Sequence, residues 1–262
     1  MSDADLLGHL RAENARLIAL LESHGVEWRL PDTTPQVESA SSSPLIGSSL
    51  DTTAKLALFR RLFRGREDVF PARWENKTGK SGYSPACANE WRAGVCEKPR
   101  IKCGECSHRK FLPLTDQVLY KHLAGETVIG VYPLLVDNTC YFLAVDFDEA
   151  DWREDVTAFV QSCCELDVPV AIEISRSGNG AHARIFFDRN VPAYEARLLG
   201  SAIISHTCER TRQLKLESYD RLFPNQDNMP KGGFGNLIAL PLQKRARALG
   251  GSIFVDETLA PY

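Results

Sequence analysis

From residue 128 onward, apolar and polar positions alternate in a way that predicts a series of strands and helices. The predicted strands span 128–136, 140–147, 168–175, 181–187 and 234–240, and the predicted helices span 152–166 and 192–214. Without the first strand, the order is β-α-β-β-α-β, which is the split βαβ arrangement. In this topology the strands pair in the order 4-1-3-2, helices cover one face of the sheet, and the other face is open.

The predicted fold class is α+β, with an RRM-like (split βαβ) core at 128–262, as in RNA-recognition modules. We expect an N-terminal α/β lobe at 55–127, which carries a cysteine-rich module at 87–106. Asp51 is the expected cap of the first helix of that lobe. The segment 31–54 is rich in Ser, Thr and Pro, a composition typical of flexible linkers.

Residues 1–30 are expected to contain one helix, because apolar residues recur there at spacings of three and four. The seam consists of Leu7, Leu10, Asn14, Leu17 and Leu21. An Asn within such a seam favours a parallel pair of helices at some cost in stability. Since the seam is barely three heptads long, a weak homodimer and a helix that docks within its own chain both stay open.

Two carboxylates, Asp146 and Asp148, end the strand predicted at 140–147 and lie on one face, because alternate residues of a strand share a face. Neighbouring carboxylates repel each other and are best tolerated around a divalent cation. The topology brings His182 beside them from the third strand of the unit. It also brings Asp220 from the segment before the fourth strand, and Asp227 is the alternative third acid from the same segment. A turn or capping role for these acids is the simpler alternative.

A glycine-rich turn at 175–180 leads into the strand of His182. Such a turn can direct successive backbone N–H groups outward and bind an anion such as phosphate, although ordinary hairpins use the same residues. Beside an acid pair, Ser177 and His182 are the expected contacts to a phosphate. A second glycine-rich stretch, 231–236, suits close approach of the backbone to a ligand.

Four cysteines, Cys87, Cys96, Cys103 and Cys106, have the spacing C-x8-C-x6-C-x2-C. The C-x2-C half is a chelating turn typical of structural zinc, and we favour a zinc site because these cysteines lie among Lys, Arg, Gly and Pro with little core to bury them. His108 is an alternative to one of the cysteines, and four unrelated buried thiols are the alternative to zinc. The remaining four cysteines of the chain fall in apolar patterns and are expected in the core.

Composition places few further limits on function. The chain has 262 residues and a formal net charge of −3, so only local basic clusters point to an anionic partner. No run is long and apolar enough to cross a membrane, and the N-terminus lacks the pattern of a signal peptide. We therefore expect a cytoplasmic protein, in which eight cysteines argue against disulfides.

Three of these motifs together resemble those of archaeo-eukaryotic primases: an acid-x-acid pair at 146–148, a Ser-to-His motif at 177–182 and a hydrophobic-Asp motif at 219–220. Longer runs resemble the primase-polymerase domain of TOTE conflict systems, at 89–91, 94–96, 98–103, 132–135, 175–180, 218–227 and 231–237. The resemblance covers about residues 55–257. The sequence departs from the family pattern at Ala183-Arg184, where an apolar-aromatic pair is expected. Family members usually continue into a helicase region, which is not expected here.

The resemblance implies a DNA-dependent primase-polymerase of a mobile-element or phage conflict system, with a role in antiviral defence. Asp146, Asp148 and Asp220 would then hold two Mg²⁺ or Mn²⁺ ions for template-directed nucleotidyl transfer. The phosphates of the incoming nucleoside triphosphate would be bound by Arg176, Ser177, Gly178, Asn179, Gly180, His182 and Arg184. For the two arginines, a surface ion pair is the alternative.

The partners that the resemblance implies are a single-stranded DNA template, a primer and a separate helicase. The zinc module and the basic clusters would follow the template, so binding would weaken steeply with salt. Two other classes of function stay open at this point. A manganese-dependent nucleotide-sugar transferase also uses an Asp-x-Asp pair, and a non-catalytic zinc and RRM-like module would bind single strands without needing three acids.

Overall fold

The computed structural model describes residues 50–148, 151–211 and 219–262, together with Arg16 and Ser23, which are both helical and exposed. The rest of the predicted N-terminal helix and most of the linker lie outside the described residues. None of the helices in the described part of the chain is long and apolar enough to cross a membrane. From Leu50 to the end, the chain forms one compact unit, within which the division into a lobe and a core stays a prediction.

Helices and strands follow one another in a mixed order along the described residues. The helices are α1 (Thr52–Leu62), α2 (Asp116–Ala124), α3 (Trp152–Glu165), α4 (Ala193–Thr211) and α5 (Lys244–Arg247). The strands are β1 (Pro71–Glu75), β2 (Ser81–Pro85), β3 (Gly130–Val131), β4 (Thr139–Asp148), β5 (Ala171–Ile174), β6 (Gly180–Pro192), β7 (Tyr219–Phe223), β8 (Ile238–Ala239) and β9 (Ile253–Val255).

The expected cap of the first helix is present. The backbone N–H of Ala54 donates to Asp51 Oδ1 at 2.7 Å, which satisfies one of the free N–H groups at the start of α1. Phe63 is the C-cap of this helix, and its backbone N–H donates to the carbonyl of Phe59.

The five strands of the large sheet pair antiparallel in the order β7-β4-β6-β5-β9. The first four reproduce the 4-1-3-2 order of the split βαβ unit. The prediction of the fourth strand at 234–240 was wrong, because that strand is β7, whereas β8 pairs with β3 in a separate two-stranded sheet. Strand β7 has only five residues, pairs on one side and carries polar residues, so its sequence lacks a strong strand pattern.

The two faces of strand β4 are buried against different parts of the chain. Leu143, Val145 and Phe147 pack with residues of α3 and α4 in one core cluster. Phe142 and Ala144 point the other way, into a second cluster with residues of α1 and α2. The predicted open face is therefore covered, because the segment before β4 carries enough apolar side chains, Phe59 and Leu119 among them, to pack on it.

Candidate active site

The antiparallel register brings five of the predicted site residues to one end of the large sheet: Asp146, Asp148, Gly180, His182 and Asp220. On one side of β4, Asp146 is opposite His182 and Asp148 is opposite Gly180. On the other side, Asp146 is opposite Arg221 and Phe147 is opposite Tyr219, so Asp220 is the extra residue of a β-bulge in β7. The backbone of Asp220 therefore lies beside the end of β4, while its side chain lies outside what the structure describes.

The rival acid, Asp227, lies at the opposite end of β4. Its carboxylate pairs with Arg197 of α4. Two residues later, the N–H of Met229 donates to Asn138 Oδ1 at 2.7 Å, and Asn138 immediately precedes β4. Since a ten-residue strand is about 30 Å long at roughly 3.3 Å per residue, Asp227 is too far away to complete a site with Asp148.

A buried ion-pair network lies directly behind the acid pair. Glu173 of β5 is 1% exposed and accepts hydrogen bonds from Arg184 Nε at 2.8 Å and Arg184 Nη2 at 2.6 Å. The same carboxylate oxygen, Oε2, lies 3.1 Å from His182 Nδ1. The other ring nitrogen, Nε2, lies 3.3 Å from Asp146 Oδ1. His182 therefore connects the buried carboxylate of Glu173 to the first acid of the candidate metal site.

The network holds His182 in its protonated form. Burial by itself would lower the pKa of His182, but the charge of Glu173 and the contacts with Asp146 and Glu173 outweigh this and raise the pKa to about 9. Burial would likewise raise the pKa of Glu173, yet the charges of Arg184 and His182 lower it. At neutral pH the imidazolium thus has an N–H on each side, one towards each carboxylate.

Arg184 is fully buried, in contrast to its predicted place beside a ligand. Besides Glu173, its guanidinium donates to the carbonyl of Ala239 at 3.2 Å. It lies 5.4 Å from the centre of the Phe63 ring and 5.6 Å from that of Phe142. Arg184 is therefore placed to hold Glu173 and His182 in position. Because it is fully buried, its position does not favour a contact with an incoming ligand.

Glu173 is the residue that the sequence interpretation did not select. A signal for it existed, because Glu173 stands between two isoleucines in a strand that pairs with the strand of His182. An acid among apolar strand residues, directly opposite a histidine, suggests a buried pair. The register that makes Glu173 and His182 cross-strand partners, however, becomes certain only in the structure.

The predicted anion-binding turn is the hairpin between β5 and β6. The N–H of Gly178 donates to the carbonyl of Ser175 at 3.0 Å, and the N–H of Asn179 donates to Ser177 Oγ at 3.2 Å. These two N–H groups are used inside the turn, so the predicted nest does not include them. Gly180 is required for a different reason, since a Cβ there would lie 2.4 Å from Asp148 Oδ1 and 2.6 Å from the carbonyl oxygen of Phe147.

Arg176, at the tip of this hairpin, lines the side of a large cavity. The cavity has a volume of about 680 Å³ and is also lined by Arg73, Lys121 and Arg245. Among the described residues that line it, neither Asp146 nor Asp148 appears. The chemical groups of the candidate site therefore lie at the end of β4, and the cavity lies to one side of it.

The acid pair offers a suitable environment for a hard divalent cation. Asp146 is 8% exposed, and its Oδ1 is buried without a hydrogen bond, because the contact with His182 is close enough for an ion pair but not aligned as a hydrogen bond. The charge of His182 compensates part of the charge of Asp146, but Oδ1 still lacks an aligned hydrogen-bond donor, which a bound cation would replace. Carboxylate oxygens are the ligands that Mg²⁺ and Mn²⁺ prefer.

The four predicted zinc ligands surround one small cavity. Cys87, Cys96, Cys103, Cys106 and His108 all line it, and its volume of about 20 Å³ is close to that of a single water molecule or ion. The N–H of Lys110 donates to Cys87 Sγ at 3.3 Å, a contact that stabilises a thiolate. Within the described part of the chain, however, no three His, Cys, Asp or Glu side chains are arranged to hold a metal ion.

The glycine-rich stretch at 231–236 approaches the cysteine segment. A Cβ on Gly104 would lie 2.7 Å from the carbonyl oxygen of Gly232, and one on Gly232 would lie 3.3 Å from the carbonyl oxygen of Gly104. The sequence predicted that this glycine-rich stretch lies close to a ligand, but at Gly232 it lies close to the backbone of the cysteine segment. It fixes the cysteine segment against the chain that follows β7.

Comparison with known families gives one match that covers most of the chain. A family described as "TOTE conflict system, Archaeo-Eukaryotic Primase domain" matches residues 54–262. The matched region includes the cysteine segment, strand β4, the hairpin at 175–180 and strand β7. No curated protein matches the sequence. The match confirms the family that the motifs resemble.

We expect Glu173→Gln to lower the free energy of unfolding by about 3–5 kcal/mol, because it leaves the buried Arg184 guanidinium without its counter-charge. Urea denaturation at pH 7 measures this change. Glu165→Gln is the matched control, since Glu165 also pairs with a histidine and an arginine but is exposed, and its loss should cost no more than about 1 kcal/mol. Equal effects of the two substitutions would contradict a structural role for the buried network.

The same network predicts a pH dependence. A pKa raised to about 9 in the folded state contributes stability that is complete below the ordinary pKa of about 6.5 and is lost as the pH rises through 9. We therefore expect the stability of the wild type to fall more between pH 7 and pH 9.5 than that of Glu173→Gln. The same fall in both proteins would show that Glu173 does not set the pKa of His182.

Proposed function

Because the chain belongs to the archaeo-eukaryotic primase domain family of TOTE conflict systems, we propose that it is a DNA-dependent primase-polymerase. The family indicates nucleotidyl transfer of the primase-polymerase type, and the finer assignment to template-directed DNA synthesis is our proposal. The observation that carries it is the register at the end of β4, where Asp146, His182 and the backbone of Asp220 lie on adjacent strands.

In this proposal Asp146, Asp148 and Asp220 hold two Mg²⁺ or Mn²⁺ ions. The buried and unbonded Oδ1 of Asp146 supports this assignment, as does the place of Asp220 in the bulge next to Asp146. When bound, the two ions lower the pKa of the attacking 3′-hydroxyl and neutralise the charge that develops on the triphosphate and the leaving pyrophosphate. Asp227 has no part in this site, because it lies at the other end of β4.

The phosphates of the incoming nucleotide are assigned to the hairpin before β6 and to His182. A protonated His182 carries a positive charge beside the acid pair, so it suits a site that binds a phosphate. Ser177 and Arg176 supply a hydroxyl and a guanidinium from the hairpin. Gly180 keeps the start of β6 close to Asp148, and Arg184 supports His182 through Glu173.

We also propose that Cys87, Cys96, Cys103 and Cys106 bind one structural zinc ion. Their shared cavity and the N–H donated to Cys87 support this proposal. Zinc would draw the four side chains closer than they now lie and would hold the cysteine segment as a fixed unit. The segment would then present its lysines and arginines to a single-stranded template.

Asp146→Ala is expected to abolish primer extension in the presence of Mn²⁺, by at least about 1,000-fold, because it removes a central metal ligand. Single-stranded DNA binding should change little, since the substitution removes no positive charge. A labelled primer on a template strand, with all four nucleoside triphosphates, measures both extension and binding.

Asp227→Ala is the control for this experiment, and it should extend primers nearly as well as the wild type. A wild type that extends no primer and makes no product de novo, but cleaves DNA or transfers a nucleotide-linked sugar, would contradict the proposed reaction. Loss of extension in Asp227→Ala with normal extension in Asp146→Ala would contradict the assigned site.

The zinc assignment predicts one zinc per chain in the purified protein and much less in Cys103→Ser, because three ligands bind zinc far more weakly than four. Atomic absorption measures the metal content. Cys164→Ser is the matched control, since Cys164 is exposed and lies outside the cysteine segment. A wild type without zinc, or a Cys103→Ser protein with the full amount, would refute the assignment.

A further inference from the structure

The cysteine segment contains an exposed turn, and this turn carries a highly exposed tryptophan. Residues 91–94 are four consecutive exposed positions between Cys87 and Cys96. Trp91 is 70% exposed, compared with 41% for Trp74 and 3% for Trp152. Tryptophan is a large apolar residue that is usually much more buried, so an indole that projects this far needs an explanation.

The backbone holds this indole outward at a cost. Trp91 has φ = 58°, in the left-handed region that bulky side chains rarely adopt. The turn is fixed on both sides, because the N–H of Arg92 donates to the carbonyl of Asn89 at 3.1 Å and the N–H of Cys96 donates to the carbonyl of Arg92 at 2.9 Å. Backbone strain of this kind, where the surroundings enforce it, is concentrated at functional positions.

A partly buried lysine contacts the indole. Lys98 Nζ lies 5.7 Å from the centre of the Trp91 ring. The ammonium is held there by Glu90, whose Oε1 accepts from Lys98 Nζ at 2.7 Å and from Ser84 Oγ at 3.1 Å. A cation near the ring adds a favourable electrostatic contact and restricts the ring's motion. The indole is therefore a supported, outward-facing platform.

The surroundings of Trp91 favour an anionic partner. The exposed cations of the segment and of the four residues after it are Arg92, Arg100, Lys102, Arg109 and Lys110. Arg100 pairs with Glu97, and the acid Glu105 is also exposed. Among residues 92–111, all of which the structure describes, no large apolar residue is exposed. A protein-docking surface would place further apolar residues around the tryptophan. A single exposed aromatic ring in a stretch of the chain with several exposed cations instead suits single-stranded nucleic acid, which stacks a base on the ring and pairs its phosphates with the cations.

We propose that Trp91 is a base-stacking residue for the single-stranded DNA template, with Arg92 and the neighbouring cations on the phosphates. This inference rests on the proposed polymerase function and names the place where the template is held outside the metal site. Stacking is sequence-tolerant because every base presents a flat ring, so Trp91 would accept any template.

The test measures binding alone, by fluorescence anisotropy of a labelled oligo-dT without nucleotide or metal. We expect Trp91→Ala to weaken binding about 10-fold and Trp91→Phe to retain most of the affinity, because a phenyl ring still stacks. The salt dependence should keep its slope, since no phosphate contact is lost. Circular dichroism and the melting temperature should match the wild type, because the side chain is exposed.

Two controls separate stacking from other effects. Trp74→Ala should bind within twofold of the wild type, because the Trp74 ring packs over Gly82, where a Cβ would come within 3.0 Å of it. An oligomer of abasic sites has the same phosphates but no bases, so Trp91→Ala and the wild type should bind it equally. Equal binding of oligo-dT by Trp91→Ala and the wild type, or an equal loss with the abasic oligomer, would overturn the proposal.

Failure of the stacking proposal can be distinguished from failure of the polymerase proposal. If the wild type extends primers but Trp91→Ala binds oligo-dT normally, only the stacking proposal fails. If oligo-dT binding depends on Trp91 but no nucleotide is ever incorporated, only the polymerase proposal fails.

Discussion

The ion pair between Glu173 and Arg184 is the interaction on which the candidate active site depends. Burying both charges costs desolvation free energy, and two apolar side chains of similar size often stabilise a protein as well or better. The pair has a second effect that apolar residues cannot reproduce. It keeps a carboxylate beside His182, so the imidazole stays protonated with one N–H directed towards Asp146. The network therefore fixes the charge and the orientation of a residue at the edge of the site.

The packing of the sheet explains why the candidate site lies at the end of β4. Residues of the second core cluster, Phe59 and Leu119 among them, bury Phe142 and Ala144 completely, while Asp146 is 8% exposed and Asp148 is partly exposed. Successive residues on this face thus pass from the core to the surface within about 20 Å. On this face of β4 the exposure increases towards Asp148, where the hairpin at 175–180 and the bulge in β7 also lie.

Local patterns in the sequence predicted much of this arrangement. The predicted topology, in which the first and third strands are antiparallel neighbours, was sufficient to place Asp146, at the end of 140–147, beside His182, at the start of 181–187. The cap at Asp51 followed from the preference of an aspartate for that position. The cap depends on residues close together in the sequence, and the strand pair depends on the order of the predicted elements. Both can be read from the sequence.

Features that depend on long-range partners could not be predicted. Apolar positions at Phe59 and Leu119 show that a surface must be buried, but not which face of the sheet it covers. Arg184 appeared to be a surface or ligand-binding residue, because its partner Glu173 lies on another strand. The short strand β7 was missed, since polar residues at an edge give little periodic signal. The convergence of the four cysteines on one cavity likewise needs the whole segment to be folded.

The central claim is that the end of β4 and the bulge of β7 form a two-metal nucleotide site. Electron paramagnetic resonance during titration with Mn²⁺, in the presence of a non-hydrolysable nucleoside triphosphate, tests it directly. The account predicts two Mn²⁺ ions per chain with a spin-coupled spectrum, since ions about 3.5–4 Å apart interact magnetically. It also predicts that Asp146→Ala loses this spectrum. Uncoupled binding in the wild type, or an unchanged coupled spectrum in Asp146→Ala, would contradict it.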